Sequence, residues 1–209
     1  MEQERLIAPV ADNRDKQRTY RENMRRYSQA MKYGFYLEAM FIDYAMLEDR
    51  LTSFLYHIGA LDHRTDRKVC GRTRPQLKAI QGRMLQQEKP RLGVGTISGK
   101  CQILKSLLLW SREPEAAQSQ DRYLQALYSC ITERLDVDGL LDWLDKLENW
   151  KNYRNEVIHT LLNKNVESLE QELPTRAREG NELGRYLDRQ IGHLKEGNVI
   201  RRSVRMKTQ

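Results

Sequence analysis

Arg154, Asn155 and His159 fall within six consecutive residues, Arg154-Asn155-Glu156-Val157-Ile158-His159, in a stretch patterned as an amphipathic helix. A guanidinium holds a phosphate through its planar fork of donors, and an imidazole exchanges a proton near neutral pH. With an amide to orient one of them, these groups suffice to cleave a phosphodiester without a metal. Helical residues turn by about 100° each, so Asn155 and His159 stack on one face and Arg154 lies roughly 100° to 140° from them. The apolar stripe running from Trp143 through Leu147 and Trp150 lands next on Arg154, where a core helix wants leucine. A guanidinium on a burying stripe costs free energy unless it faces a cleft, a partner subunit or a carboxylate.

The chain around this motif is basic and helix-forming. Its 209 residues suit one domain with a full core, and Lys+Arg 36 against Asp+Glu 29 gives a net charge of +7, which favours an anionic partner. Cys70, Cys101 and Cys130 are odd in number and far apart, without a CxxC pair or zinc-ligand spacing to histidine, so they read as reduced, buried thiols of a cytosolic protein. Met1 to Asp15 lacks the apolar segment of an export signal, and no apolar run reaches membrane-spanning length, so a cytoplasmic protein with no membrane contact is expected.

Leu, Ala, Glu, Lys, Arg, Gln and Met dominate, and no alternating strand pattern is present, so the expected class is all-α. A long helical pattern covers Asp15 to Leu61, interrupted at Gly34 and closed at Gly59. A short helix follows over Pro75 to Gln87, and Thr96 or Ser98 can cap the next one, which carries Ile103, Leu104, Leu107, Leu108 and Trp110. Glu113 to Ser119 reads as a loop, Gln120 to Leu135 as a helix, and Asp138 to Leu169 as the helix holding the motif. A polar helix is expected from Gly180 to Leu194, beyond Pro174, and then a basic, mobile tail, Arg201 to Gln209. The organisation is an N-terminal arm (1–14), a helical domain (15–172) and a C-terminal helix with its tail (173–209).

Between Arg64 and Lys105 eleven basic residues face two acidic ones, a local charge of +9 that exceeds the net charge of the chain. Arg64, Arg67, Lys68, Arg72, Arg74 and Lys78 are the candidate RNA-phosphate contacts in this block, the other reading being a solvated loop and helix face. Duplex DNA is a further possible partner, although no helix-turn-helix is legible there. Tyr20, Tyr27, Tyr33 and Tyr36 are interleaved with Arg21, Arg25, Arg26 and Lys32, so their rings either stack bases or pack on neighbouring helices. Gly93 to Lys100 lacks the Ser or Thr that a phosphate loop needs after its lysine, since Cys101 stands there, and no strand precedes it. No cofactor motif and no metal site are present in the sequence.

Arg154-Asn155-x-x-x-His159 resembles the Arg-polar-x-x-x-His signature of HEPN domains, an all-helical group that includes toxin and abortive-infection ribonucleases. Leu147 to Trp150, Tyr153, Val157 and Ile158 look like the penultimate helix of that fold, Glu38 to Leu55 like its opening helix and Gly99 to Leu109 like its middle one. The likeness spans about residues 30 to 165 in helix pattern, and its specific part is the six-residue motif. It implies a HEPN-like antiparallel helical bundle with extra N- and C-terminal helical segments. It also implies a homodimer whose motif helices meet in one composite cleft, and metal-independent cleavage of RNA by its own 2′-hydroxyl. His159 would be general base or acid, Arg154 would stabilise phosphorane charge, and Asn155 would orient His159 or a phosphate oxygen. A role as toxin or antiphage defence effector, with a regulatory or antitoxin partner protein, follows from the same likeness. Leu161 stands where toxins paired with a nucleotidyltransferase commonly carry tyrosine, which counts against control by modification at that site. A non-catalytic RNA-binding or protein-interaction module of the same fold is the competing reading.

Overall fold

A computed structural model of the chain describes residues 13–61, 69–160, 163 and 166–195. Most of the N-terminal arm, Leu161 and the tail Arg201 to Gln209 lie outside the described residues. The described residues form eight helices and no strand, apart from one isolated bridge between Leu61 and Val69. The helices are α1 (Asn13–Tyr33), α2 (Tyr36–His57), α3 (Arg74–Met84), α4 (Ile97–Trp110), α5 (Pro114–Ala117), α6 (Arg122–Arg134), α7 (Val137–Thr160) and α8 (Val166–Lys195).

Local chemistry sets several of the helix ends. Gly34, at φ +79°, ends α1, and the Phe35 amide donates back to the Ala30 carbonyl at 2.8 Å, the six-to-one bond of a glycine-terminated helix. Gly59, at φ +76°, repeats the arrangement after α2, where the Ala60 amide donates to the Leu55 carbonyl at 2.9 Å. The Thr96 hydroxyl accepts the Gly99 amide at 3.1 Å and caps α4, while Asp121 Oδ1 accepts the amides of Tyr123 and Leu124 and caps α6. Asp136 Oδ1 accepts the Gly139 amide at 2.9 Å at the start of α7. The loop expected at 113–119 contains the single turn α5.

The largest departure from expectation is at the C-terminal end. The motif helix stops at Thr160 instead of continuing to Leu169, and α8 begins at Val166 and passes through Pro174 without a break. A proline inside a helix removes one backbone bond and crowds the preceding turn. The turns on either side of Pro174 are nonetheless anchored by Leu173, Ala177, Leu183, Leu187 and Ile191, all buried. Tertiary packing therefore overrides the local break.

Side-chain pairings fix the helix directions. Lys16 and Tyr20 of α1 both reach Asp49, so α1 runs antiparallel to α2. Asn181 meets Asp43 and Asp188 meets Arg50, so α8 runs alongside α2 in the same sense. Lys151 reaches Ser98, Lys105 reaches Asp145 and Arg112 pairs with Asp138, so α7 is antiparallel to α4. Phe54, Leu51, Leu107, Leu140, Trp150 and Leu187 meet in one core between these helices.

Small residues let α8 lie close to its neighbours. A Cβ on Gly180 would come within 2.5 Å of the Trp150 ring, and one on Gly184 within 2.6 Å of Arg50 Nη1. At Gly192 nothing stands within 4 Å. Gly180→Ala is expected to lower stability by about 1–3 kcal/mol through overpacking, whereas Gly192→Ala should raise it by roughly 0.5–1 kcal/mol through helix propensity. Urea unfolding of the two variants checks the opposite signs.

Candidate active site

The last turns of α7 place the motif. Trp150 is buried and its indole N–H donates to the Arg176 carbonyl at 2.7 Å, and Val157 is buried about two turns further on. Arg154 lies between them, half-buried at the edge of the stripe, and its guanidinium is directed across to α2. Its central carbon stands 4.3 Å from the Tyr44 ring centroid and 4.7 Å from that of Phe41. Such stacking suits a planar, weakly hydrated cation.

The Arg154 Nη1 donates to Asn155 Oδ1 at 3.0 Å, while its Nε is buried and makes no hydrogen bond. Desolvation lowers the Arg154 pKa from its ordinary value, with Tyr44 acting in the opposite direction. No carboxylate among the described residues forms an ion pair with it. Neighbouring cations differ in this respect. Lys100, fully buried, reaches Glu48 at 3.0 Å; Lys151 reaches Glu148 at 2.7 Å; Arg176 reaches Glu179 at 2.9 Å. Arg154 is thus placed by two rings and an amide, with no carboxylate of the described residues paired to it.

His159 is in the last turn of α7, exposed and without a hydrogen-bond partner among the described residues. Asn155 has one face-step in common with it, but its side-chain oxygen is engaged by Arg154, so the group it orients in this chain is the guanidinium. Arg154 and His159 therefore sit at the same end of α7, one held by neighbours and one exposed.

Of the six candidate phosphate contacts, the described ones fall elsewhere. Arg64, Arg67 and Lys68 lie outside the described residues. Arg72, Arg74 and Lys78 are exposed around the start of α3, where the Thr73 hydroxyl donates to the Gly59 carbonyl at the far end of α2. Fifteen residues of rise separate Gly59 from Tyr44, about 22 Å along the bundle from the guanidinium of Arg154. Of the interleaved tyrosines, Tyr20 donates to Asp49, Tyr27 is buried against α8 and Tyr36 is half-buried, leaving Tyr33 exposed. Lys100, the lysine of the glycine-rich segment, is turned inward to Glu48. Cys70 and Cys130 are buried free thiols and Cys101 is a half-buried one.

Set against protein-family models, curated proteins and solved structures, the chain matches none. No described helix is long and apolar enough to cross a membrane, and no group of three or more His, Cys, Asp or Glu side chains among the described residues could hold a metal ion.

Phe41 and Tyr44, which meet Arg154, are the candidate-site residues that periodicity missed. The α2 stripe through Met40, Leu47 and Leu51 assigns Tyr44 to the core and gives Phe41 no place. An aromatic residue off the burying face of an otherwise regular helix was the available signal. Its partner, more than a hundred residues later, was not readable from spacing.

Proposed function

We propose that this protein is a metal-independent endoribonuclease of HEPN type, acting as a homodimer. The observation that carries the reading is an un-neutralised Arg154, pressed onto Phe41 and Tyr44 and tied to Asn155, at the same helix end as an exposed His159. A guanidinium unpaired with any carboxylate among the described residues, and restricted in geometry, is preorganised for phosphate.

In the reaction the ribose 2′-oxygen attacks the adjacent phosphorus and the 5′-oxygen of the next nucleotide departs, leaving a 2′,3′-cyclic phosphate and a free 5′-hydroxyl. A base takes the 2′-proton and an acid supplies one to the leaving oxygen. One chain has a single histidine at the site, so the two-fold related copy of α7 provides the other. Arg154 offsets the charge that builds on the non-bridging oxygens. Because the nucleophile belongs to the substrate, DNA is spared. Service as a toxin or antiphage defence effector under a regulatory or antitoxin partner protein rests on the resemblance of the motif.

The test is incubation of purified protein with single-stranded and structured RNA in EDTA. Cleavage by wild type that Arg154→Ala and His159→Ala both lack supports the reading; equal product from all three removes it. The placement of Arg72, Arg74 and Lys78 at the opposite end of the bundle favours a second reading, an RNA-binding module that does not cut. Salt-sensitive RNA binding that survives His159→Ala, with no products from wild type, would select it.

A further inference from the structure

Among the described residues three large hydrophobic side chains are exposed, and all three are aromatic: Tyr33 at 64%, Phe35 at 61% and Phe41 at 49%. They occupy one end of the bundle. Tyr33 and Phe35 flank Gly34 in the α1–α2 turn, held there by the bond from the Phe35 amide to Ala30. Phe41 follows Phe35 by six residues, about 9 Å of helical rise. Two of the three rings carry a cation on a face: the Lys32 ammonium stands 5.5 Å from the Tyr33 centroid and Arg154 stands 4.7 Å from that of Phe41. Neither cation has an ion-pair partner among the described residues, and Glu38 is the sole acidic side chain between Tyr33 and Ile42.

We propose that this aromatic corner is a base-stacking subsite for unpaired RNA, with bases on Phe41, Phe35 and Tyr33 and the intervening phosphates beside Arg154 and Lys32. Exposed rings set against free cations are what a single strand engages: any base can stack on a ring, and the cations meet the backbone. A duplex keeps its bases stacked on each other and offers these rings nothing. A protein partner covering the same corner would have to bring carboxylates to two cations. The inference rests on the RNA reading of Arg154 and deepens it: single-stranded segments become the substrate, and the phosphate at Arg154 is the one next to the stacked base.

The test uses full-length His159→Ala protein, so that RNA stays intact, and measures fluorescence anisotropy with three probes: a short single-stranded RNA, an abasic strand of equal length, and a duplex. Tighter binding to the single strand than to the abasic strand is expected. The Tyr33→Ala/Phe35→Ala double variant should weaken single-strand binding by about tenfold or more and leave the abasic strand unaffected. Since both side chains are exposed, its thermal unfolding should match the parent, and Phe41→Leu, which keeps an apolar contact under Arg154, should also weaken single-strand binding. Equal affinity for single and abasic strands overturns the proposal. So does a double variant that binds RNA like its parent but loses self-association on size exclusion, which would assign the corner to a second copy of the chain. The two readings fail separately. Cleavage unchanged by Tyr33→Ala/Phe35→Ala ends the stacking subsite and leaves the catalysis standing, whereas stacking-dependent binding without cleavage by wild type does the reverse.

Discussion

Arg154→Lys is expected to slow RNA cleavage by about a hundredfold or more, close to the effect of Arg154→Ala, although the charge is kept. The reason is geometric. The guanidinium stands over the rings of Tyr44 and Phe41 and spends one donor on Asn155, which restricts the direction of its remaining donors. An ammonium on a shorter stem has no plane to stack, presents no fork, and prefers its own hydration shell. His159→Ala should cost roughly 10²–10⁴ in rate, the usual range for removing a general acid or base. Single-turnover cleavage in EDTA, with each variant's fold checked by circular dichroism, measures both. A composite cleft adds a sharper expectation. Reannealing wild type with excess His159→Ala protein should lower the rate further than dilution does, since a mixed dimer has one His159 where base and acid need two. Full activity in Arg154→Lys would show that charge alone matters there and would sink the fork argument.

How the site was legible explains why it was only half legible. Chain-local signals held where one residue decides the outcome: the breaks at Gly34 and Gly59, the Thr96 cap, and the stripe through Trp143, Leu147 and Trp150. They failed where distant packing decides. Pro174 reads as a terminator, yet the buried residues on both sides of it hold α8 together. Arg154 breaks the stripe in the sequence, which marked it as a residue needing a reason. The reason, two rings of α2, depends on which helix lies against α7. The basic segment depends on packing in the same way. Clustering along the chain marked candidate phosphate contacts without saying where they lie, and α2 separates the start of α3 from Arg154 by most of its length.

Wild-type stability is expected to fall as pH rises from about 5 to about 8, and Asp43→Asn should flatten that slope. Asp43 is 1% exposed between α2 and α8; its Oδ1 accepts from Asn181 Nδ2 at 3.4 Å and its Oδ2 has no hydrogen-bond partner. Burial pushes its pKa up to about 7, and the Asn181 hydrogen bond with the charges of Arg50 and Arg185 only partly opposes this. In the unfolded chain an aspartate titrates near 3.9, so the folded state holds the proton more tightly. Its contribution is complete below the unfolded value and is lost progressively until pH passes the folded one. Three units of difference correspond to about 4 kcal/mol at most. Paired surface carboxylates such as Glu22 have lowered pKa values and titrate below this window, so they do not mask the slope. Urea unfolding at about pH 5, 6.5 and 8 decides the matter: parallel curves for wild type and Asp43→Asn would remove Asp43 as the cause. The consequence reaches the site because Asp43 precedes Tyr44 on the helix that supports Arg154. Ionising a carboxyl buried between α2 and α8 loosens the platform on which the guanidinium lies, so Asp43→Asn should retain cleavage activity at alkaline pH better than wild type does.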